Sequence, residues 1–185
     1  MRIGLFGGAF DPFHNGHLAI CRAAVSSAGL DRLIVIPSGK APHKDGFAAD
    51  FEDRYNMISA ALAGTGYEIS RYEGERKEIS YSATTVEDFH RMYPEDELFF
   101  LIGADSYRDL HKWYEPWRIT DIATLVVFPR GGMDIEVKPP AIPVEMDKIE
   151  VSSTMVRNMI KAGGDVSAYI PEAVNEYIIV NNLYK

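Results

Sequence analysis

Along the chain, short uninterrupted apolar runs alternate with longer stretches in which apolar positions recur every three or four residues. Ile3–Phe6 is such a run, closed by Gly7-Gly8, and Leu33–Ile36 is another, closed by Pro37 and Gly39. Both read as strands buried on two faces. Between them, Leu18–Ala28 carries helical spacing and stops at Gly29, a residue suited to a C-terminal cap. The alternation recurs with a helix over Phe51–Ala63, a strand over Tyr67–Ser70, a helix over Thr84–Met92 and a strand over Leu98–Ile102 that ends at Gly103. A polar and aromatic segment follows to Trp117, then a strand over Thr124–Phe128 and a Pro-rich loop over Pro129–Pro143. A last short strand near Ile149–Val151 leads into helices at Ser153–Lys161 and Glu172–Asn181.

Strands alternating with helices predict an α/β fold: a mostly parallel sheet with helices on both faces and right-handed crossovers. At 185 residues one domain, 1–185, is expected, with the helical portion from about residue 152 packed on it. Ligands in such folds bind where strand ends meet helix starts. That directs attention to Gly7–His17, Pro37–Lys44, Gly103–Asp105 and Val151–Arg157, joined by the aromatic segment near Trp113.

Charge narrows the choice of partners. Nineteen basic against 27 acidic residues leave a formal charge of −8, which argues against a protein that grips nucleic acid through its phosphates. A local anion site stays compatible with that balance. No apolar run reaches the roughly 18 residues of a membrane span, and Met1-Arg2 runs straight into a strand pattern and not a signal peptide. Cys21, the single cysteine, sits among Ala and Ile at helical spacing; a buried inert thiol and a cytoplasmic location are expected.

The most informative segment follows the first strand and reads GGAFDPFHNGH, Gly7 to His17. Two glycines permit a tight turn and leave amides uncovered for a phosphate. His14 and His17, three apart where a helix begins, place both imidazoles on one face at its positive end. Imidazole N–H groups and helix amides together suit charge that builds on phosphorus in a transition state. Two histidines do not complete a zinc ligand set, so no protein metal ligand is assigned.

This segment resembles the H-x-G-H signature of the nucleotidyltransferase superfamily, whose members share a Rossmann-like doubly wound sheet and transfer a nucleotidyl group from ATP or CTP. VSSTMVR, Val151 to Arg157, resembles the superfamily's second signature, Ser-Ser-Thr-x-x-Arg at a helix N-terminus. There Ser152 or Ser153 would cap the helix while Arg157 and the free amides face ATP phosphates.

Further segments are similar to one family, the bacterial nicotinate-mononucleotide adenylyltransferases of NAD synthesis. PSGKAPHK, Pro37 to Lys44, resembles that family's Pro-x-x-x-Pro-Pro-His-Lys loop, with Ala41 for one proline. RKEISYSATT, Arg76 to Thr85, resembles Arg-x-Gly-Pro-Ser-Tyr-Thr-x-x-Thr, departing at Glu78, Ile79 and Ser82. GADSYRDLHKWYEP, Gly103 to Pro116, resembles the family's Gly-x-Asp segment and the Trp-Tyr beyond it. Phe128 to Gly131, Tyr169 to Pro171 and Tyr177-Ile178 extend the likeness to the end of the chain. Trp113-Tyr114 and Ser80-Tyr81 set the pattern apart from pantetheine-phosphate adenylyltransferases and glycerol-phosphate cytidylyltransferases.

The resemblance implies adenylyl transfer from ATP to nicotinate mononucleotide. His17 is expected at the transition-state oxygens and His14 at the ATP phosphates. Gly7, Gly8, Phe10, Gly103, Asp105, Ser152, Ser153 and Arg157 would complete the ATP side. Lys44, Ser82, Thr85 and Trp113 would meet the acceptor, with Trp113 stacked on the pyridine ring. Trp117 is expected to anchor its segment to the core. Mg2+ would arrive with ATP, held by phosphates and water.

Overall fold

The computed structural model describes residues 1–40, 46–76, 78–129, 136–147 and 149–185. Its strands are β1 (Arg2–Gly8), β2 (Arg32–Pro37), β3 (Glu68–Ile69), β4 (Glu97–Gly103), β5 (Ala123–Phe128) and β6 (Ile142–Pro143). They form one sheet in the order β3-β2-β1-β4-β5-β6, with every pairing parallel. The chain winds outward from β1 to one edge, returns to β4 beside β1, and winds to the other edge. This is the doubly wound Rossmann-like order, and its reversal point lies between β1 and β4.

The helices are α1 (Asn15–Ala28), α2 (Phe51–Leu62), α3 (Ser82–Met92), α4 (Ala104–Asp109), α5 (Trp117–Thr120), α6 (Ser153–Lys161) and α7 (Glu172–Val180). Alternate residues of the strands feed two cores. Phe6, Leu33, Val35, Phe99, Leu101 and Val126 pack with Ile20, Cys21 and Ala24 of α1 and Ile58 and Leu62 of α2. Ile3, Leu5, Ile34, Ile36, Phe100 and Val127 pack with Val86 and Phe89 of α3, Leu110, and Ile119 of α5. Each such side chain fully buried contributes about 1.5–3 kcal/mol. A third cluster joins Met57 of α2, Val156 of α6, Val174 and Ile178 of α7, and Tyr184.

Three expectations need correction. Ile149–Val151 is not a strand: Val151 N–H donates to Ile149 O at 3.0 Å, closing a three-residue turn. The sixth strand lies instead inside the expected loop, where Ile142 and Pro143 pair with Val126 and Val127. A proline is tolerated there because this strand is an edge. The polar aromatic segment, to which the sequence pattern assigns no element, holds α4, a 3₁₀ turn at Leu110–Lys112, and the start of α5. Trp117 does not anchor this segment; it is 56% exposed, and the fully buried Ile119 does the anchoring.

Among the described residues no helix is long and apolar enough to cross a membrane. Cys21 is buried, and burial pushes its thiol up to about 12. A thiol reagent at pH 8 should therefore leave the native protein unlabelled and label one cysteine per chain in denaturant, as intact mass will read.

Candidate active site

β1 delivers the chain to Gly7 and Gly8 at its end, and a six-residue passage to His14 connects it to α1. His14 is the N-cap of that helix, with extended backbone. Its Nδ1 accepts the His17 N–H at 3.3 Å, and the His17 Nδ1 accepts the His14 N–H at 3.2 Å. This is a capping box built from two imidazoles in place of Ser and Glu. The rings stack with centroids 3.6 Å apart. Since both Nδ1 atoms accept backbone protons, each neutral ring carries its own proton on Nε2, leaving that nitrogen as the donor. Gly16 leaves room beside the stack: a Cβ there would lie 3.0 Å from His14 Nδ1 and 3.0 Å from Val151 Cγ1, crowding both.

Aromatic rings box in the pair. Phe10 lies edge-on to His17 at 4.9 Å and Phe13 tilts against it at 5.2 Å. Phe10 is buried and sits at φ 49°, a left-handed conformation that costs a residue with a side chain about 1–3 kcal/mol. The turn is held by side chains from distant elements. Ser153 of α6 donates to Pro12 O at 2.9 Å, and Arg157 donates to Asp11 O at 2.7 Å. The Asp11 carboxylate, itself buried, accepts from Ala48 N at 2.7 Å, Ala49 N at 3.2 Å and the Tyr184 hydroxyl at 2.6 Å. Burial and that carboxylate hold the Tyr184 phenol far above its ordinary range.

A cavity of about 1040 Å³ opens at the reversal point of the sheet. Of the expected ATP-side residues, Gly7, Gly8, Phe10, Gly103, Ser152, Ser153 and Arg157 line it together with His14 and His17. A Cβ at Gly7 would meet no atom within 4 Å, so nothing in the protein demands glycine there and the space is open to a ligand. Ser152 caps α6 by accepting the Met155 N–H at 3.2 Å. Ser153 is spent on Pro12, so the two adjacent serines divide the work. Asp105, in the first turn of α4, does not line the cavity.

On the acceptor side, Ser82 and Trp113 line the same cavity. Trp113 is half-buried and edge-on to Phe100 at 6.4 Å. Thr85 stands behind the wall: it is buried and donates to the Glu73 carboxylate at 2.8 Å. Lys44 lies outside the described residues, as do Arg130 and Gly131. Among the described residues no group of three His, Cys, Asp or Glu is placed to hold a metal ion, and the nearby Asp11 carboxylate already accepts three hydrogen bonds.

Residues 5–159 match the family described as cytidylyltransferase-like. The chain is 41% identical over 187 residues to a probable nicotinate-nucleotide adenylyltransferase of Thermus thermophilus, covering all of both chains. It is 34% identical to the nicotinate-nucleotide adenylyltransferase of Bacillus subtilis, covering 100% of this chain and 98% of that one. This chain belongs to the nicotinate-nucleotide adenylyltransferase family. Its fold matches that of the Plasmodium falciparum nicotinic acid mononucleotide adenylyltransferase complexed with NaAD, with a TM-score of 0.84 at 20% identity, covering 99% and 97% of the two chains.

Within this adenylyltransferase fold, sequence reasoning missed Asp11, Tyr184 and Glu73. Glu73 accepts from Thr85 and, at 3.3 Å, from the Gly39 N–H, joining the β2 loop to the start of α3; burial raises its pKa. Asp11-Pro12 lies inside the first signature, but no local pattern marks a tyrosine 173 residues away as the partner of Asp11.

Replacing Tyr184 by Phe removes one buried bond to a charged acceptor. Tyr184→Phe should lower unfolding free energy by about 1.5–3 kcal/mol, read from urea midpoints at unchanged slope.

Proposed function

We propose that the protein transfers the adenylyl group of ATP to the 5′-phosphate of nicotinate mononucleotide, giving nicotinate adenine dinucleotide and pyrophosphate, in cytoplasmic NAD synthesis. An oxygen of the acceptor phosphate attacks the α-phosphorus in line; the bond from that phosphorus to the bridging oxygen of the β-phosphate breaks, and the electron pair leaves with pyrophosphate. The acceptor is already an anion, so no strong base is required. Catalysis then rests on positioning and on donors aimed at charge building on phosphorus.

The observation that carries the reading is the reciprocal cap of His14 and His17 at the edge of the cavity. It presents two Nε2–H donors at the positive end of a 14-residue helix, fixed before any ligand arrives. His17 is assigned to the transition-state oxygens and His14 to the ATP phosphates. Gly7, Gly8 and Phe10 offer backbone to the phosphates, with Gly103, Ser152 and Arg157 around them. Ser153 serves them indirectly by holding Pro12. Asp105 is assigned to the ribose side. Trp113 and Ser82 take the nicotinate end. Thr85 supports that end through Glu73, and Lys44 completes the acceptor phosphate site. Mg2+ would arrive with ATP and would neutralise charge on the phosphates, with no ligand from the described residues assigned to it.

Pyrophosphate release from ATP and magnesium, with nicotinate mononucleotide, nicotinamide mononucleotide and phosphopantetheine offered separately, tests the reaction. Fast release with the first alone is expected; release only with phosphopantetheine, or with none, would overturn it. Removing one preorganised donor in such sites costs about 10² to 10³ in kcat, so His17→Ala should lose that much. Its stability loss should stay near 1 kcal/mol, the value of an N-terminal cap. Trp113→Ala should raise KM for the mononucleotide and leave KM for ATP unchanged; equal damage to both identifies a tryptophan that only packs.

A further inference from the structure

Arg54, on α2, is the largest fully buried side chain among the described residues, 1% exposed. Among the described residues it has no carboxylate within ion-pair distance, an arrangement that costs free energy and therefore calls for a compensating role. Its two terminal nitrogens donate to main-chain carbonyls: Nη1 to Ala9 O at 2.8 Å and Nη2 to Ser38 O at 2.8 Å. The Nε has no hydrogen-bond partner. The guanidinium carbon lies 3.9 Å from the centroid of the Phe47 ring, which covers the charge on one face.

Ala9 and Ser38 belong to the passages that leave β1 and β2, and both line the cavity. A backbone bond, Ser38 N–H to Gly8 O at 2.8 Å, also ties the β2 passage to the end of β1. Arg54 adds two contacts in the fixed fork of one planar group. The peptide it grips through Ala9 O is the one that precedes Phe10, the residue held at φ 49°. In a trans peptide the N–H points opposite the carbonyl, so a carbonyl drawn toward Arg54 sets the direction of the Phe10 N–H as well. The second grip acts likewise on Gly39, whose N–H, opposite the Ser38 carbonyl, donates to Glu73.

We propose that Arg54 is a positioning residue: its guanidinium holds the strained Ala9–Phe10 peptide and locks it to the β2 passage, so that the phosphate-binding and acceptor sides of the cavity keep one spacing. The inference rests on the adenylyl-transfer reading. A lysine keeps the charge but cannot span two carbonyls with the fork geometry.

The experiment compares wild type with Arg54→Lys and Arg54→Gln by steady-state kinetics, melting temperature and hydrogen exchange followed by peptide mass. Misplacement by about 1 Å costs on the order of 10²-fold in rate, so kcat should fall by about that factor while both KM values change little. Exchange should quicken in peptides covering residues 7–14 and 36–40 and stay at wild-type rates in β4, β5 and α7. Wild-type kcat in Arg54→Lys would overturn the proposal. So would a loss that only tracks the folded fraction, exchange raised evenly across the chain, or failure of both variants to fold, since each marks a residue serving the fold as a whole. Exchange needs no turnover, so an inactive wild type would count against the reaction while the local lock is still decided.

Discussion

Two imidazoles can keep a common face toward a phosphate only if something other than the ligand fixes them, and here each ring is fixed by the other's backbone. The reciprocal bonds between His14 and His17 tie ring orientation to the first turn of α1. Anything that starts that helix correctly also aims both rings. Gly16 between them and the phenyl rings of Phe10 and Phe13 beside them leave the stack little room to relax. The donors are thus set by folding, and little reorganisation remains for the reacting complex, the condition under which electrostatic stabilisation is strongest.

The same economy extends to the turn before the helix. Its carbonyls are drawn outward by side chains of α2 and α6, and its one carboxylate is consumed by two amides and a phenol. Three of its carbonyls and its carboxylate are thereby occupied by donors from the protein itself. In a protein of charge −8, occupying carbonyls and a carboxylate with the protein's own donors lowers the negative potential that this turn presents to the cavity.

Much of this was legible in the sequence. Strands β1, β2, β4 and β5 announced themselves because both faces are buried, so their apolar runs are continuous and bounded by Gly or Pro. The H-x-G-H segment was legible because its residues act within eleven positions of one another. α4, α5 and β6 were not: at six, four and two residues they are shorter than the periods that would reveal them. Arg54, Glu73 and Tyr184 were invisible for another reason. Each is a lone polar residue whose partners lie elsewhere in the chain, and without the fold such a residue reads as solvated. Ser153 and Thr85 show the converse: a motif identified the right neighbourhood, while long-range hydrogen bonds decided which way each hydroxyl points.

The clasp between Tyr184 and Asp11 joins two residues 173 positions apart. A ribosome makes the chain from its N-terminus, so the strands and α1 can assemble while Tyr184 is still unmade or inside the exit tunnel. During that interval the Asp11 carboxylate lacks its phenol, and the turn ahead of the histidines is incompletely braced. The turn is therefore fully braced only once residue 184 has been made and has left the tunnel. A chain halted after β6 but short of residue 184 could complete its sheet and still lack the clasp.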